Sequence, residues 1–255
     1  MTAIAPEHIV ALLKKGHTAT VELVTSKGTY VELCGHKVLL CSAEFGVVPN
    51  GISLDRPLQL QQNQKISCGD GRLMDLQVVA AQWDTALCTH NDGAALQALK
   101  NDPGTGFGLL VTDRDLPPEC QIAVPLLKKL YGAILNEDPE AVGASAIGLL
   151  GLGKGLTPSG DDVLAGLIYG LRHSALRGAT ATAALCKAVQ DYAHKRTNAV
   201  SADYLMAIIM DAPFERLRNA LDCPEKLMEI GSNSGRELLL GRIMAARLIK
   251  CMEGA

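Results

Sequence analysis

Hydrophobic and polar positions follow two different rhythms along this chain. In the first half, Thr18–Thr25, Thr29–Leu33 and Lys37–Cys41 alternate or run with β-branched and apolar residues, which predicts strands. Ser26-Lys27-Gly28 and Cys34-Gly35 punctuate them as turns. Asn50-Gly51 and Gly69-Asp70-Gly71 are further turn signals, the second lying between strands expected at Gln64–Ser67 and Arg72–Val79. Ahead of the strands, Ile4, Ile9, Leu12 and Leu13 within Met1–Gly16 fit a short amphipathic helix, and another helix is expected near Gly93–Lys100. The predicted result is a β-rich meander, closing into a small sheet or a partial barrel.

From about Pro117 the spacing becomes helical. Val124–Leu135 carries apolar residues at that period, as do Val163, Leu164, Leu167, Ile168 and Leu171. Leu185, Ala188, Val189 and Tyr192 repeat it, then Leu205, Ile208 and Ile209, and finally Leu238, Leu239, Ile243, Ala246 and Ile249. The segment Asp113–Glu119, with Pro117-Pro118, reads as a boundary between a β-rich domain (1–116) and a helical domain (117–255). The expected fold class is α+β, strands first and helices after.

Composition narrows the function classes. With 48% hydrophobic and 20% charged residues, the 255-residue chain can build a sizeable core and is not disordered in bulk. Its net charge of −3, with no Lys/Arg block, argues against a nucleic-acid surface. Met1–Gly16 lacks the ordered regions of a signal peptide, and the longest apolar run, Val142–Leu152, is far below the roughly 18 residues that span a bilayer. Eight cysteines are spread thinly without a CxxC pair, which suits reduced thiols. The expectation is a soluble, cytoplasmic protein with no membrane or nucleic-acid partner.

The candidate chemistry concentrates in Gly148-Leu149-Leu150-Gly151-Leu152-Gly153-Lys154-Gly155-Leu156-Thr157-Pro158-Ser159-Gly160-Asp161-Asp162. Glycines let backbone N–H groups approach a ligand closely. Thr157 with Pro158 at the first helical position is a favoured helix start, and Ser159 is a second candidate cap, with Asp162 three residues on. Either start points the positive end of a helix dipole outward, suited to phosphate or carboxylate. Gly148-x4-Gly153-Lys154 imitates a P-loop, but Gly155 replaces the hydroxyl that would hold Mg²⁺, and no strand clearly feeds the loop. The GxGxxG dinucleotide pattern fails as well, since Gly151, Gly153 and Gly155 are spaced by twos. Asp161 and Asp162 could serve catalysis, hold Mg²⁺ as the one cofactor worth considering, or simply complement the dipole. A loop of this kind can also exist only to turn the chain tightly into its helix.

The motif has an internal echo. Ser159-Gly160-Asp161-Asp162-Val163-Leu164-Ala165-Gly166 and Ser234-Gly235-Arg236-Glu237-Leu238-Leu239-Leu240-Gly241 both read S-G-x-acid-x-L-x-G. Each can be a capping box opening an amphipathic helix, with Gly166 and Gly241 allowing a close helix crossing. Alternatively, two helix N-termini converge on one ligand, with Ser232, Asn233 and Arg236 nearby. Between the echoes, Thr197, Asn198 and Ser201 join two helices; Ser201 could cap the second, or these polar groups could line the same pocket. The six histidines form no H-x3-H pair, Cys34-Gly35-His36 with Cys41 is too irregular for zinc, and no G-x-S-x-G elbow occurs. Trp83 reads as packing.

Gly153-x-Gly155-Leu156-Thr157-Pro158-Ser159-x-Asp161-Asp162-x-Leu164-x-Gly166 resembles a bacterial family catalogued as domain of unknown function 2877. The AllH subunit of oxamate carbamoyltransferase, from anaerobic allantoin degradation within purine catabolism, belongs to that family. The likeness continues at Thr197-x-x-x-Ser201-x-x-Tyr204-Leu205 and Gly231-x-x-Ser234-Gly235-x-Glu237-x-Leu239-Leu240-Gly241, with a weaker element at Phe45-Gly46. The chain departs from the pattern at Glu237, where aspartate is usual, at Ser232, where histidine can occur, and at Val47, where proline is usual. The resemblance implies a subunit of a hetero-oligomeric carbamoyltransferase that links oxalurate and phosphate to oxamate and carbamoyl phosphate. Asp161 and Asp162 would then be the catalytic pair. Gly151, Gly153, Lys154, Gly155, Thr157, Ser159, Thr197, Ser201, Ser234, Gly235 and Glu237 would bind the anionic substrate. A non-catalytic assembly subunit, or a phosphotransferase acting on a small carboxylate or carbamate, are the alternatives.

Overall fold

The computed structural model describes residues 2–25, 28–43, 51–56, 58–80, 92–112, 114–210 and 227–253. Ser26-Lys27, Phe45-Gly46-Val47, Asn50, Trp83, Cys88, His90, Asp113 and Cys223 lie outside the described residues.

The meander becomes a closed barrel. Its strands are β1 (Thr2–Ala5), β2 (Thr18–Thr25), β3 (Gly28–Leu33), β4 (His36–Ser42), β5 (Gly51–Leu54), β6 (Lys65–Gly69), β7 (Arg72–Leu73) and β8 (Leu76–Ala80). They are ordered β1-β5-β4-β3-β2-β6-β7-β8 around the barrel. β2, β3 and β4 pair antiparallel with Val21 opposite Val31 and Val31 opposite Val38, so one alternate set of side chains points inward. Two parallel pairings, β4 with β5 and β1 with β8, complete the closure, which removes the sheet edges. The run expected as one strand at Arg72–Val79 is two, β7 and β8, because Met74 takes a left-handed backbone at φ 54° and reverses the chain.

The N-terminal segment also divides. Ile4 belongs to β1 rather than to the expected helix, and α1 (Glu7–Lys15) starts only after Pro6, whose carbonyl receives the Ile9 and Val10 N–H groups. A helix through Ile4 would leave β8 without its parallel partner. α1 then sends Ile9, Val10 and Leu13 into the same core as Val21, Val31, Leu33, Ile52, Leu73 and Leu76.

The helical unit contains α2 (Asp92–Asn101), a 3-10 turn at Phe107–Val111, α3 (Pro118–Leu135), α4 (Pro139–Leu149), α5 (Ser159–Arg172), α6 (Thr180–Arg196), α7 (Ala199–Ile209) and α8 (Ser234–Glu253). Residues 92–112 pack with the helices that follow them. α5 is the central element: every residue from Ser159 to Leu171 is buried, and it packs against α4, α6, α7 and α8. A helix covered on all sides must satisfy its polar side chains internally, and the two aspartates of α5 are such side chains. Among the described residues, no helix is long and apolar enough to cross a membrane.

Candidate functional site

The glycine-rich loop runs from the end of α4 into α5, so a helix feeds it. Gly151, at φ 75°, has a left-handed backbone, and a Cβ there would lie 2.2 Å from the Arg196 carbonyl oxygen. Both facts require glycine. The N-cap position of α5 is Pro158, with no side-chain capping bond, so neither Thr157 nor Ser159 caps the helix as the sequence suggested. Their hydroxyls have stronger demands from buried carboxylates. The Gly160 N–H at the helix start is taken by the Leu152 carbonyl at 2.8 Å. Lys154 stands 90% exposed on the loop, 3.6 Å from the Glu119 carboxylate, and Gly155 and Leu156 are exposed beside it.

Asp161 is fully buried and accepts three hydrogen bonds. The Gly151 N–H donates to Oδ1 at 2.8 Å, while the Thr197 and Ser201 hydroxyls donate to Oδ2 at 2.5 and 2.6 Å. One carboxylate thereby ties the loop and the α6–α7 junction to α5. Ser201 is not the cap of α7; that role belongs to Asn198, whose Oδ1 accepts the Ser201 N–H at 3.1 Å. Burial raises the Asp161 carboxyl above its ordinary range, opposed by the Ser201, Thr197 and Gly151 donors.

The capping boxes are exchanged between the two helices. The Ser234 hydroxyl of α8, with that of Thr157, bonds to Asp162 of α5, while the Ser159 hydroxyl of α5 bonds to Glu237 of α8. The Thr157 and Ser234 hydroxyls also lie 2.9 Å apart. A box closed within its own helix would take one donor from each of the two buried carboxylates, and that penalty favours the exchanged pairing. Asp162 and Glu237 are each 1% exposed. Burial, and secondarily the Glu237 charge, hold the Asp162 carboxyl well above its usual range; burial likewise raises Glu237. Asp162 Oδ2 is buried without a hydrogen-bond partner among the described residues. The hydroxyl of Tyr204 is buried close enough to feel the Asp162 charge, and burial together with that charge pushes it well above the phenol range.

Sequence reasoning missed the segment that completes this cluster. The Phe107 N–H donates to Glu237 Oε1 at 3.0 Å, and the Thr105 N–H to Asn233 Oδ1 at 3.0 Å. Arg236 pairs with the Asp102 carboxylate and donates through Nη1 to the Ser232 carbonyl at 2.8 Å. Cys120 hydrogen-bonds the Gly106 carbonyl at 3.4 Å, and burial with the neighbouring Glu119 and Glu237 charges pushes its thiol up to about 11. The only trace in the sequence is the turn-rich Asp102-Pro103-Gly104-Thr105-Gly106, which lies some 130 positions from its partners.

The expected site residues therefore fall into three places. Asp161, Gly151, Thr197 and Ser201 form one hydrogen-bonded set. Asp162, Thr157, Ser159, Ser234 and Glu237 form a second, with Gly235 in the first turn of α8, its N–H bonded to the Ile230 carbonyl at 2.9 Å. Gly153, Lys154 and Gly155 belong to the outer loop. The two aspartates do not fit a shared Mg²⁺ site: both Asp161 oxygens are occupied by protein donors, and Asp162 serves a different set.

A barrel joined in one chain to a helical unit, with buried carboxylates gathered at a glycine-rich helix entrance, defines an α+β protein whose candidate chemistry sits in its helical unit. Residues 149–246 match the model of the family described as oxamate carbamoyltransferase subunit AllH, so the resemblance read from the sequence holds over that stretch. The match begins at the loop, ends within α8 and contains both carboxylate sets. No curated protein and no solved structure matches the chain.

Proposed function

We propose that this chain is a cytoplasmic subunit of a carbamoyltransferase-type enzyme, acting with companion subunits on a small anionic substrate held at the 151–158 loop. The supporting observation is coincidence: the stretch resembling the AllH family is the stretch that assembles the buried carboxylates. Oxalurate, phosphate, oxamate and carbamoyl phosphate all carry oxygens suited to a lysine and loop amides.

In this reading the two aspartates divide the work. Asp161, saturated by three donors, positions the loop. Asp162 retains a proton next to Glu237, with one oxygen left over. In carbamoyl transfer a phosphate oxygen attacks the ureido carbon of oxalurate, the carbon–nitrogen bond breaks, and the departing oxamate nitrogen takes up a proton. Lys154 would balance charge on the phosphate, and Asp162 is the group suited to supply that proton. An assembly role is the second reading. It is favoured by the Gly160 N–H being spent on Leu152 and by the depth of both aspartates, which together let the loop shape a helix entry rather than a pocket.

The deciding experiment is thermal melting of the purified chain with phosphate, carbamoyl phosphate, oxamate and oxalurate, with and without companion subunits. A ligand at about 100 times its Kd adds roughly 2.7 kcal/mol to the folded state, a visible shift. A shift lost in Thr157→Val places the ligand at the loop. Absence of any shift, even with companions present, favours the assembly role.

A further inference from the structure

The barrel unit carries a cavity that lies outside the 149–246 stretch. It lies between the end of α1 and the β6–β7 hairpin, has a volume of about 280 Å³, and is lined by Lys14, His17, Cys68, Asp70, Arg72 and Met74 among others. That volume is at the lower end of ligand pockets, which suits a small metabolite.

Its charge is unbalanced. Lys14 and Arg72 share the lining with a single carboxylate, Asp70, and the His17 imidazole adds a further polar group. None of these groups makes an ion pair among the described residues, although Asp70 lines the same cavity. The Arg72 Nε donates to Gln77 Oε1 at 3.3 Å, while its terminal nitrogens have no partner among the described residues. Lys14 and Arg72 outnumber the one carboxylate, so an anion seated between them meets a net positive field.

The walls are held by backbone rather than by chance side-chain positions. The Cys68 N–H bonds to the His17 carbonyl at 3.1 Å, and the Met74 N–H to the Ser67 carbonyl at 2.7 Å. Asp70 and Met74 both take left-handed backbones, at φ 51° and 54°. They are turn positions of the β6–β7 and β7–β8 hairpins, so the turns set where these lining side chains leave the backbone.

We propose that this cavity binds the phosphate group of a small metabolite through Lys14, His17 and Arg72. Three separate donors around one hollow suit a tetrahedral dianion better than the flat fork of a carboxylate. The site is separate from the loop of the helical unit and does not depend on the reading given for that loop.

Cys68 offers a local reporter, since its half-buried thiol lines the cavity. The test is the rate of iodoacetamide labelling of Cys68 in the full chain, followed by peptide mass spectrometry, with inorganic phosphate replacing chloride at constant ionic strength. Bound phosphate should slow labelling of Cys68 about fivefold or more, by blocking access and disfavouring the thiolate, while exposed Cys251 reacts as before. Lys14→Gln with Arg72→Gln should abolish the protection. Both side chains are exposed, and an unchanged melting temperature confirms that this variant folds. Thr157→Val in the helical unit should keep the protection. The proposal is overturned if phosphate does not protect Cys68, if protection survives the double substitution, or if Thr157→Val removes it.

Discussion

Gly166 and Gly241 face each other's helices so closely that neither position has room for a methyl group. A Cβ on Gly166 would lie 2.1 Å from the Leu238 carbonyl oxygen, and one on Gly241 would lie 2.1 Å from that of Val163. The two contacts are reciprocal, because Val163 and Leu238 hold the same place in the repeated motif as Gly166 and Gly241 do in turn. The same reciprocity carries Ser159 to Glu237 and Ser234 to Asp162. The close crossing is what brings four polar side chains from two helices within reach of one another.

Gly166→Ala and Gly241→Ala should therefore each destabilise the helical unit by about 1–3 kcal/mol or more, since backbone must move to admit the methyl group. Urea unfolding would read this as a lower midpoint at an unchanged slope. An alanine tolerated at both positions would mean that the helices do not cross as closely as described.

Asp161 predicts a different kind of loss. Asp161→Ala strands the Thr197 and Ser201 hydroxyls and the Gly151 N–H together, at about 1–3 kcal/mol for each buried group left unpaired. Asp161→Asn keeps an acceptor and should cost less. Thr197→Val and Ser201→Ala should each lose part of the same stability and combine with Asp161→Ala non-additively in a double-mutant cycle.

The pH dependence of stability tests the Asp162–Glu237 pair. Both carboxyls are raised in the folded state, so the folded protein binds more protons than the unfolded chain once pH exceeds the ordinary carboxylate range. Stability contributed by these groups is present below the unfolded values, and falls as pH rises through the folded ones. Asp162→Asn removes one of the two titrations. Relative to the parent protein it should gain stability steadily as pH is raised from about 4, measured by denaturant unfolding at a series of pH values. A difference that does not vary with pH would refute retention of the proton.

Lys154 should separate binding from folding. Its side chain is exposed, and its ion pair with Glu119 is of the solvent-screened kind that contributes little. Lys154→Ala should leave the melting temperature of the free protein unchanged. If the loop holds an anion, the same change should weaken carbamoyl phosphate or phosphate binding about tenfold by calorimetry.

Much of the architecture was written in local pattern. Period-two alternation marked β2, β3 and β4, and apolar spacing marked α3, α5, α6, α7 and α8, because those rhythms follow from which side of an element meets the core. The four-residue β1 and β5 escaped notice, being too short to show a period, and β1 exists only because β8 and β5 lie on either side of it. The glycine-rich loop, its two aspartates and the repeated S-G-x-acid motif were all visible in the chain. Which hydroxyl serves which carboxylate was not. A capping box is a local rule and assigns Ser159 to Asp162 and Ser234 to Glu237. The folded protein exchanges them because each acid is buried beside the other helix, where desolvation outweighs the gain from capping. In the same way, Phe107 and Asp102 join the cluster through contacts some 130 residues apart in sequence. The sequence by itself determined the elements, the candidate loop and the residue types available for chemistry. The pairing of those residues, and the contrast between Asp161 with its three donors and Asp162 with one oxygen left without a partner among the described residues, were decided by burial, which exists only once the helices have packed.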